Sequence, residues 1–201
     1  MSRALDVVLV DAGGSNIASV QAAFERLGVQ AQMSADPARI AAASHVVLPG
    51  VGAARPGMQR LVDAGLDQFI AGLEQPVLGV CLGMQLMFDA SDESDTRCLG
   101  ILSGRVRRFE ESRAGRVPHM GWNRLRILRS SPLLDGIEAG AYAYFVHRYA
   151  APVSDDTVVS CRYGEDFSAV VSRGNFHGAQ FHPERSSALG SRLLANFLRL
   201  S

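Results

Sequence analysis

Cys81 lies in a segment whose residue types and spacing suit a nucleophile. The run Val77 to Val80 is apolar and partly β-branched, and the residues after Cys81 are apolar at helical spacing. This pattern predicts a strand, a sharp turn and a helix, with Gly79 and Gly83 letting the backbone bend on both sides of the cysteine. Such a turn lifts the side chain out of the core, and the N–H groups at the helix start favour thiolate over thiol. Cys81 is therefore the candidate nucleophile.

His182 and Glu184 can provide the base and the group that orients it. Cysteine catalysis needs a base that takes the thiol proton and a second group that holds this base. In an extended segment, residues two apart share a face, and Pro183 keeps this segment out of the helical region. We therefore expect Glu184 to bind one imidazole nitrogen of His182 while the other nitrogen faces Cys81.

A pair of N–H donors must also stabilise the oxyanion of a tetrahedral intermediate. Leu82, directly after the nucleophile, provides one donor by the usual geometry of such turns. The segment Gly50, Val51 and Gly52 ends a neighbouring predicted strand, and its glycines allow a peptide to rotate and supply the second donor. Taken alone, Cys81 is interpreted as a core thiol, the segment at His182 as a strand end and residues 49–52 as an ordinary turn. The pieces together predict an acyl-transfer site.

The first half of the chain alternates between short apolar strands and helices. Strands are predicted at 5–10, 29–33, 45–48 and into Cys81, with helices after 16, after Pro37 and over 58–73. This alternation predicts a parallel sheet with helices on both faces and ligands at the carboxyl ends of the strands. The glycine pair 13–14 lacks the third glycine of a dinucleotide-binding loop, so we interpret it as a tight turn.

The second half changes to short alternating segments separated by turn signals. Strands are predicted at 104–109, 125–128, 142–149, 158–163, 169–172 and 178–182, with antiparallel pairs, and a helix at 188–200. The polar stretch 90–96 is predicted to be a surface loop. No linker or repeat interrupts the chain. We therefore expect residues 1–201 to form a single α/β domain, with a mostly parallel central sheet flanked by helices and additional antiparallel strands.

Composition excludes several classes of protein. The 20 acidic and 20 basic residues give a formal net charge of zero, which argues against a non-specific nucleic-acid binder. Every basic residue is arginine, so a lysine Schiff base and a P-loop lysine are excluded. Three scattered cysteines form no disulfide framework and favour the cytoplasm, and no apolar run is long enough to span a membrane. Because His119 and His147 lack a cysteine or carboxylate at metal spacing, we predict no metal, and no cofactor is expected.

These segments resemble those of the class I, or triad, glutamine amidotransferases. Residues 79–85 are similar to the nucleophile segment of that family and residues 180–184 to its His-x-Glu segment. The resemblance implies a flavodoxin-like arrangement of the sheet and glutamine as the substrate. It also implies that Cys81 attacks the glutamine carboxamide, that His182 transfers protons and that Glu184 orients His182. Gln85 and the backbone of 50–52 would help to hold glutamine.

One branch of the family is similar in further segments, at 49–52, 117–123 and 144–147. In that branch the ammonia passes to a cyclase subunit, a (β/α)8 barrel, within a heterodimer that serves histidine biosynthesis. The residues that match segments near its docking face are Asn16, His119, Met120, Gly121, Trp122 and Asn123. The chain departs from the branch in the loop 12–15 and at Arg148, where the branch commonly has serine.

Two other functions stay open on the sequence alone. The chain can be a glutaminase that serves another synthase, such as one for guanylate, anthranilate or pyridoxal phosphate. It can also be a binding protein that keeps the fold without the activity. Residues 118–123 favour the cyclase branch over the first alternative, and the complete set of Cys81, His182 and Glu184 argues against the second.

Overall fold

A computed structural model describes residues 5–11 and 17–201 of the chain. Strands and helices alternate through the first part, as the apolar periodicity predicts. The elements are β1 Val7–Val10, α1 Ile17–Glu25, β2 Ala31–Ser34, α2 Pro37–Ala42, β3 His45–Gly50, α3 Ala54–Asp63, α4 Asp67–Ala71, β4 Val77–Cys81 and α5 Leu82–Leu86.

Strands dominate the later part of the chain. The elements are β5 Phe88–Ser91, β6 Thr96–Arg97, β7 Leu102–Arg108, α6 Glu111–Ala114, β8 His119–Ile127, β9 Tyr142–His147, β10 Tyr149–Ala150, β11 Thr157–Tyr163, β12 Glu165–Arg173, β13 Phe176–Ala179 and α7 Ser187–Phe197. Short 3-10 turns lie at Glu93–Asp95, Pro132–Leu134 and Pro183–Arg185.

The described strands form two sheets. The larger has the order β2-β1-β3-β4-β13-β12-β11-β8-β9, and the smaller has the order β10-β7-β5-β6. Strands β2, β1, β3, β4 and β13 pair in parallel, whereas β12, β11, β8 and β9 continue the sheet in antiparallel pairs. The predicted fold class, a mostly parallel central sheet with added antiparallel strands, is confirmed.

Apolar side chains cover both faces of the parallel strands. In β1, Val7 and Leu9 belong to one buried cluster and Val8 and Val10 to the other, because successive side chains point to opposite faces. Helices α1 and α7 contribute to the first cluster, and α3, α4 and α5 to the second. The sheet is thus held between two helical layers, with the carboxyl ends of its parallel strands at one edge. Within residues 5–11 and 17–201, no helix has the length and apolar character needed to cross a membrane.

The prediction of a surface loop at 90–96 holds only for the middle of the segment, where Asp92, Ser94 and Asp95 are exposed, and is wrong for its ends. This segment contains the end of β5, a 3-10 turn and the start of β6, and both Ser91 and Thr96 are buried. The Ser91 hydroxyl accepts a hydrogen bond from the Glu93 amide, and the Thr96 hydroxyl donates to the Glu93 carbonyl oxygen. Short polar side chains here satisfy the backbone locally, so a polar composition accompanies an ordered segment.

Candidate active site

Cys81 occupies the sharp turn between β4 and α5. Its φ of 54° lies in the left-handed region, with ψ at −111°. The flanking glycines are required by close approach of backbone. A Cβ at Gly79 would lie 2.7 Å from the Met84 amide nitrogen, and a Cβ at Gly83 would lie 1.8 Å from the Leu48 carbonyl oxygen. Because α5 has only five residues, its dipole is small.

His182 reaches Cys81 because β13 pairs with β4 in parallel, with Ala179 opposite Val80. His182 Nδ1 lies 2.8 Å from Glu184 Oε1, and both side chains are buried. The expected contact is therefore present, but its backbone differs from the expectation. Residues 183–185 form a 3-10 turn instead of continuing an extended segment, and the Arg185 amide donates to the His182 carbonyl oxygen.

The pairing of His182 with its neighbours makes it a charged group. Burial lowers the pKa of His182, but hydrogen bonds to Cys81 and Glu184, together with the charges of both, outweigh burial and raise this pKa to about 10. Burial raises the pKa of Cys98 to about 11 and that of Cys161 to about 12, so these two thiols stay protonated at neutral pH. Cys81 is the cysteine with a base beside it.

The segment at the end of β3 lies next to the nucleophile. Gly50 is opposite Cys81 in the parallel pair of β3 and β4. Val51, Gly52 and Leu82 line the same cavity as Cys81, and Gly52 has a φ of 98°. The backbone of this segment and that of Leu82 therefore both border the cavity that contains the thiol.

The cavity above Cys81 has a volume of about 570 Å³, a size that suits a small ligand. Gln85, Glu93 and Arg148 contribute polar lining to it. Glu93 lies in the segment that the sequence predicted to be a loop. Its Oε2 accepts a hydrogen bond of 2.7 Å from the Ala54 amide, and this contact between residues 39 apart fixes it at the cavity. No local sequence pattern predicts a contact between residues so far apart.

Two buried glutamines connect this cavity to the thiol. Gln85 Nε2 donates to the Tyr149 carbonyl oxygen at 2.8 Å and to Gln180 Oε1 at 2.9 Å. Gln180, which has no exposed surface, places its own Nε2 3.9 Å from Cys81 Sγ as a donor. Both amide hydrogens of Gln85 are thus used inside the protein. Its oxygen is left as the acceptor on the cavity side. Gln180 lies in a segment that resembles the family, but no local pattern predicts its contact with Cys81.

The residues predicted at a partner interface have different surroundings. Met120 and Trp122 on β8 are 63% and 52% exposed, whereas His119 is only 3% exposed. His119 therefore packs beneath the exposed surface that contains Met120 and Trp122 and is not part of that surface. Asn16 lies outside the described residues. Among residues 5–11 and 17–201, no group of three His, Cys, Asp or Glu side chains is arranged to hold a metal ion.

Residues 8–200 match the family model described as Glutamine amidotransferase class-I, and the chain belongs to that family. It is 53% identical to imidazole glycerol phosphate synthase subunit HisH of Xanthomonas euvesicatoria over 196 residues, which is 98% of each chain. It is 50% identical to the protein of the same name from Xylella fastidiosa over 195 residues, covering 97% of this chain and 98% of that one.

Solved structures share the fold at lower identity. A Thermoplasma acidophilum protein described as one subunit of a GMP synthase has a TM-score of 0.76 at 20% identity, covering 98% of this chain and 94% of that one. A structure described as a glutamine amidotransferase has a TM-score of 0.73 at 18% identity, with 96% of each chain covered. At these identities the likeness concerns the fold alone.

Proposed function

We propose that this chain is the glutaminase subunit of an imidazole glycerol phosphate synthase and supplies ammonia for histidine biosynthesis. The observation that carries the proposal is the Cys81 thiol at a strained turn, hydrogen-bonded to a histidine that Glu184 orients. Identity of about 50% to proteins of that name along nearly the whole chain supports the particular member of the family. Residues 1–201 act as one amidotransferase domain.

The chemistry proceeds through a thioester. The Cys81 sulfur attacks the carboxamide carbon of glutamine, and the electron pair of the C=O bond moves to oxygen. His182 gives its proton to the departing nitrogen, so that ammonia leaves as the thioester forms. His182, now neutral, takes a proton from water as this water attacks the thioester. Collapse of the second intermediate releases glutamate and restores the thiolate beside a charged His182.

The oxyanion of both intermediates needs the two N–H donors beside Cys81. Leu82 provides one, and the peptide at Val51 or Gly52 provides the other when it points into the cavity. An absent donor raises the barrier by roughly 3 kcal/mol. We propose that the segment 50–52 lacks the productive orientation until the cyclase subunit docks, so that the free chain hydrolyses little glutamine.

Glutamine is bound by groups that match its two ends. The free oxygen of Gln85 accepts from an N–H of the substrate. Besides His182, the cavity carries an acidic side chain, Glu93, and a basic one, Arg148, for the α-ammonium and α-carboxylate groups. Arg148 is exposed at the cavity rim, where the branch commonly has serine. We assign it a direct contact with the α-carboxylate.

The cyclase subunit, a (β/α)8 barrel, docks on the exposed face of β8 and β9. Register places Met120 opposite Val146 and Trp122 opposite Tyr144, so these side chains share one face. This face is apolar and exposed, as expected of a protein interface. Val146 also lines the cavity, and its carbonyl oxygen lies 4.0 Å from Cys81 Sγ. A partner seated here covers the cavity mouth and receives the ammonia in a heterodimer. We place the reaction in the cytoplasm, where a nucleophilic thiol stays reduced.

The test is glutamate formation from glutamine by the chain alone, with the cyclase subunit, and with the cyclase subunit plus imidazole glycerol phosphate. We expect a strong increase in kcat/KM in the complex. Cys81→Ala is the matched control: it should abolish hydrolysis while the complex still forms on size-exclusion chromatography. Substantial hydrolysis by the chain alone, unchanged in the complex, would contradict the proposed coupling, and a failure to bind the cyclase would favour another synthase.

A further inference from the structure

His119 and His147 form a buried pair beside the active site that the mechanism does not use. His147 Nδ1 lies 2.8 Å from the Tyr149 carbonyl oxygen, which can only accept, so this nitrogen carries the proton. Burial lowers the pKa of His147 to about 3, so its ring is neutral and its Nε2 accepts. That Nε2 lies 3.1 Å from His119 Nδ1, which must therefore donate.

The position of the proton on His119 is fixed in the same way. Burial lowers the pKa of His119 to about 4, so its ring is neutral too and its Nε2 must accept. The donor is Asn123 Nδ2 at 3.2 Å, and the orientation of that amide is fixed by a second bond of 3.0 Å to the Arg162 carbonyl oxygen. Every donor in the series points the same way, from Asn123 through His119 and His147 to Tyr149.

Aromatic neighbours hold both rings in place. His119 lies between Tyr163 and Phe145, with ring centroids 4.1 Å and 4.8 Å away and interplanar angles of 22° and 23°. His147 contacts the edge of Phe167 at 5.1 Å. The two rings therefore have little rotational freedom. A shift at Asn123 is passed through them to the Tyr149 carbonyl.

We propose that His119 and His147 are positioning residues for glutamine: an oriented chain of hydrogen bonds runs from Asn123 on β8 to the Tyr149 carbonyl that holds Gln85. The inference rests on the proposed function, because that function assigns Gln85 to the substrate. The Tyr149 oxygen accepts from both His147 and Gln85, each at 2.8 Å, so its two lone pairs are both used.

The hydrogen-bond chain also connects the proposed docking face on β8 and β9 to the Cys81 thiol. Asn123 follows Trp122 on β8. A partner that moves this strand therefore also moves Asn123, the first donor of the hydrogen-bond chain. From Gln85 the connection continues through Gln180 to Cys81 Sγ. Loss of the last link, the hydrogen bond from His147 Nδ1, leaves the Tyr149 carbonyl free to shift, and Gln85 shifts with it.

Two substitutions separate positioning from packing. His147→Asn keeps an N–H donor at the place of Nδ1, whereas His147→Phe keeps an aromatic ring and removes the donor. We expect His147→Phe to raise KM for glutamine about fivefold in the complex with the cyclase, the effect of one lost hydrogen bond, and His147→Asn to stay within about twofold of the parent chain. A merely structural role predicts the reverse order, because the aromatic surroundings accommodate phenylalanine better than asparagine. Parent-like KM for His147→Phe, or equal loss in both variants, overturns the proposal.

Nitrogen-15 NMR of labelled histidine tests the chain without turnover. We expect neutral rings protonated at Nδ1 for both His119 and His147 at neutral pH, and either ring found protonated at Nε2 alone, or charged, overturns the proposal. The side-chain amide signals of Gln85 should shift in His147→Phe and not in His147→Asn, and unchanged signals in both variants count against it. If the parent complex fails to hydrolyse glutamine, the proposed function fails, while these spectra still decide whether the pair positions Gln85.

Discussion

Replacing Gly83 by alanine puts a methyl group where the structure has no room for one. The added Cβ would lie 1.8 Å from the Leu48 carbonyl oxygen and 2.8 Å from its carbon, whereas real Cβ contacts essentially never fall under 3.0 Å. Both neighbouring atoms belong to backbone, so no side chain can rotate away. Helix α5 or strand β3 must therefore retreat by about 1.2 Å, since overpacked cores relieve such clashes by backbone shifts.

This retreat separates the two sides of the proposed oxyanion site. Leu82 and the thiol move with α5, while the segment 50–52 stays with β3. Misplacement of a reacting group by about 1 Å lowers the rate about 100-fold, and overpacking costs about 1–3 kcal/mol of stability. We expect Gly83→Ala to lose about 100-fold in kcat/KM for glutamine in the complex, and its free energy of unfolding to fall by about 2 kcal/mol.

Gly57→Ala is the matched control for this substitution. Gly57 lies in α3 and faces α5, but its added Cβ would meet the flexible end of Leu86 at 3.2 Å. Alanine also favours a helix interior over glycine by about 1 kcal/mol. The assays are glutamate formation over a glutamine series and denaturant unfolding. Parent-like kcat/KM for Gly83→Ala, or the same loss in Gly57→Ala, would refute the reasoning.

Three further outcomes are expected. Arg148→Ala should raise KM for glutamine about fivefold with little change in kcat, because one charge-assisted contact at an exposed rim is lost. An unchanged KM in steady-state kinetics would contradict the assignment of Arg148 to the α-carboxylate. Trp122→Ala should weaken cyclase binding about thirtyfold by calorimetry without changing thermal unfolding, and unchanged affinity would remove this side chain from the interface. Burial lowers the pKa of His177 from 6.5 to about 4, so its contribution to stability is full above pH 6.5 and is lost as pH falls toward 4. The thermal midpoint should fall over this range, and less steeply in His177→Gln; equal slopes would exclude His177 as a cause.

The parts of the site that the sequence predicted are those set by local rules. A glycine-flanked cysteine after an apolar run must form a turn, and apolar strands alternating with helices must form a parallel sheet. The contact of His182 with Glu184 follows from their spacing, although the backbone makes a 3-10 turn there. The chain's place in the amidotransferase family, which the sequence resemblance predicted, is confirmed by the match over residues 8–200.

The parts that sequence reasoning missed depend on pairing between distant segments. Glu93 is held at the cavity because its carboxylate accepts a hydrogen bond from the Ala54 amide. The polar composition of residues 90–96 predicts only a surface loop and gives no sign of this contact. On the sequence alone, His147 is weighed as a metal ligand and rejected, and His119 is rejected as a metal ligand and predicted only at the partner interface. They meet because β8 and β9 pair with residues 119 and 147 directly opposite each other. That register, which no local periodicity encodes, turns two isolated histidines into a connected pair.

The pairing of β4 with β13 has a consequence for synthesis of the protein. Strand β4 is buried along its whole length, yet the neighbour on one of its edges is made about a hundred residues later. A nascent or truncated chain that ends before residue 176 leaves this apolar strand with an open edge, which is a template for aggregation. It also lacks His182, so the thiol has no base. The protein therefore cannot release ammonia until His182 has been translated, and termination before residue 176 yields an inert, aggregation-prone fragment.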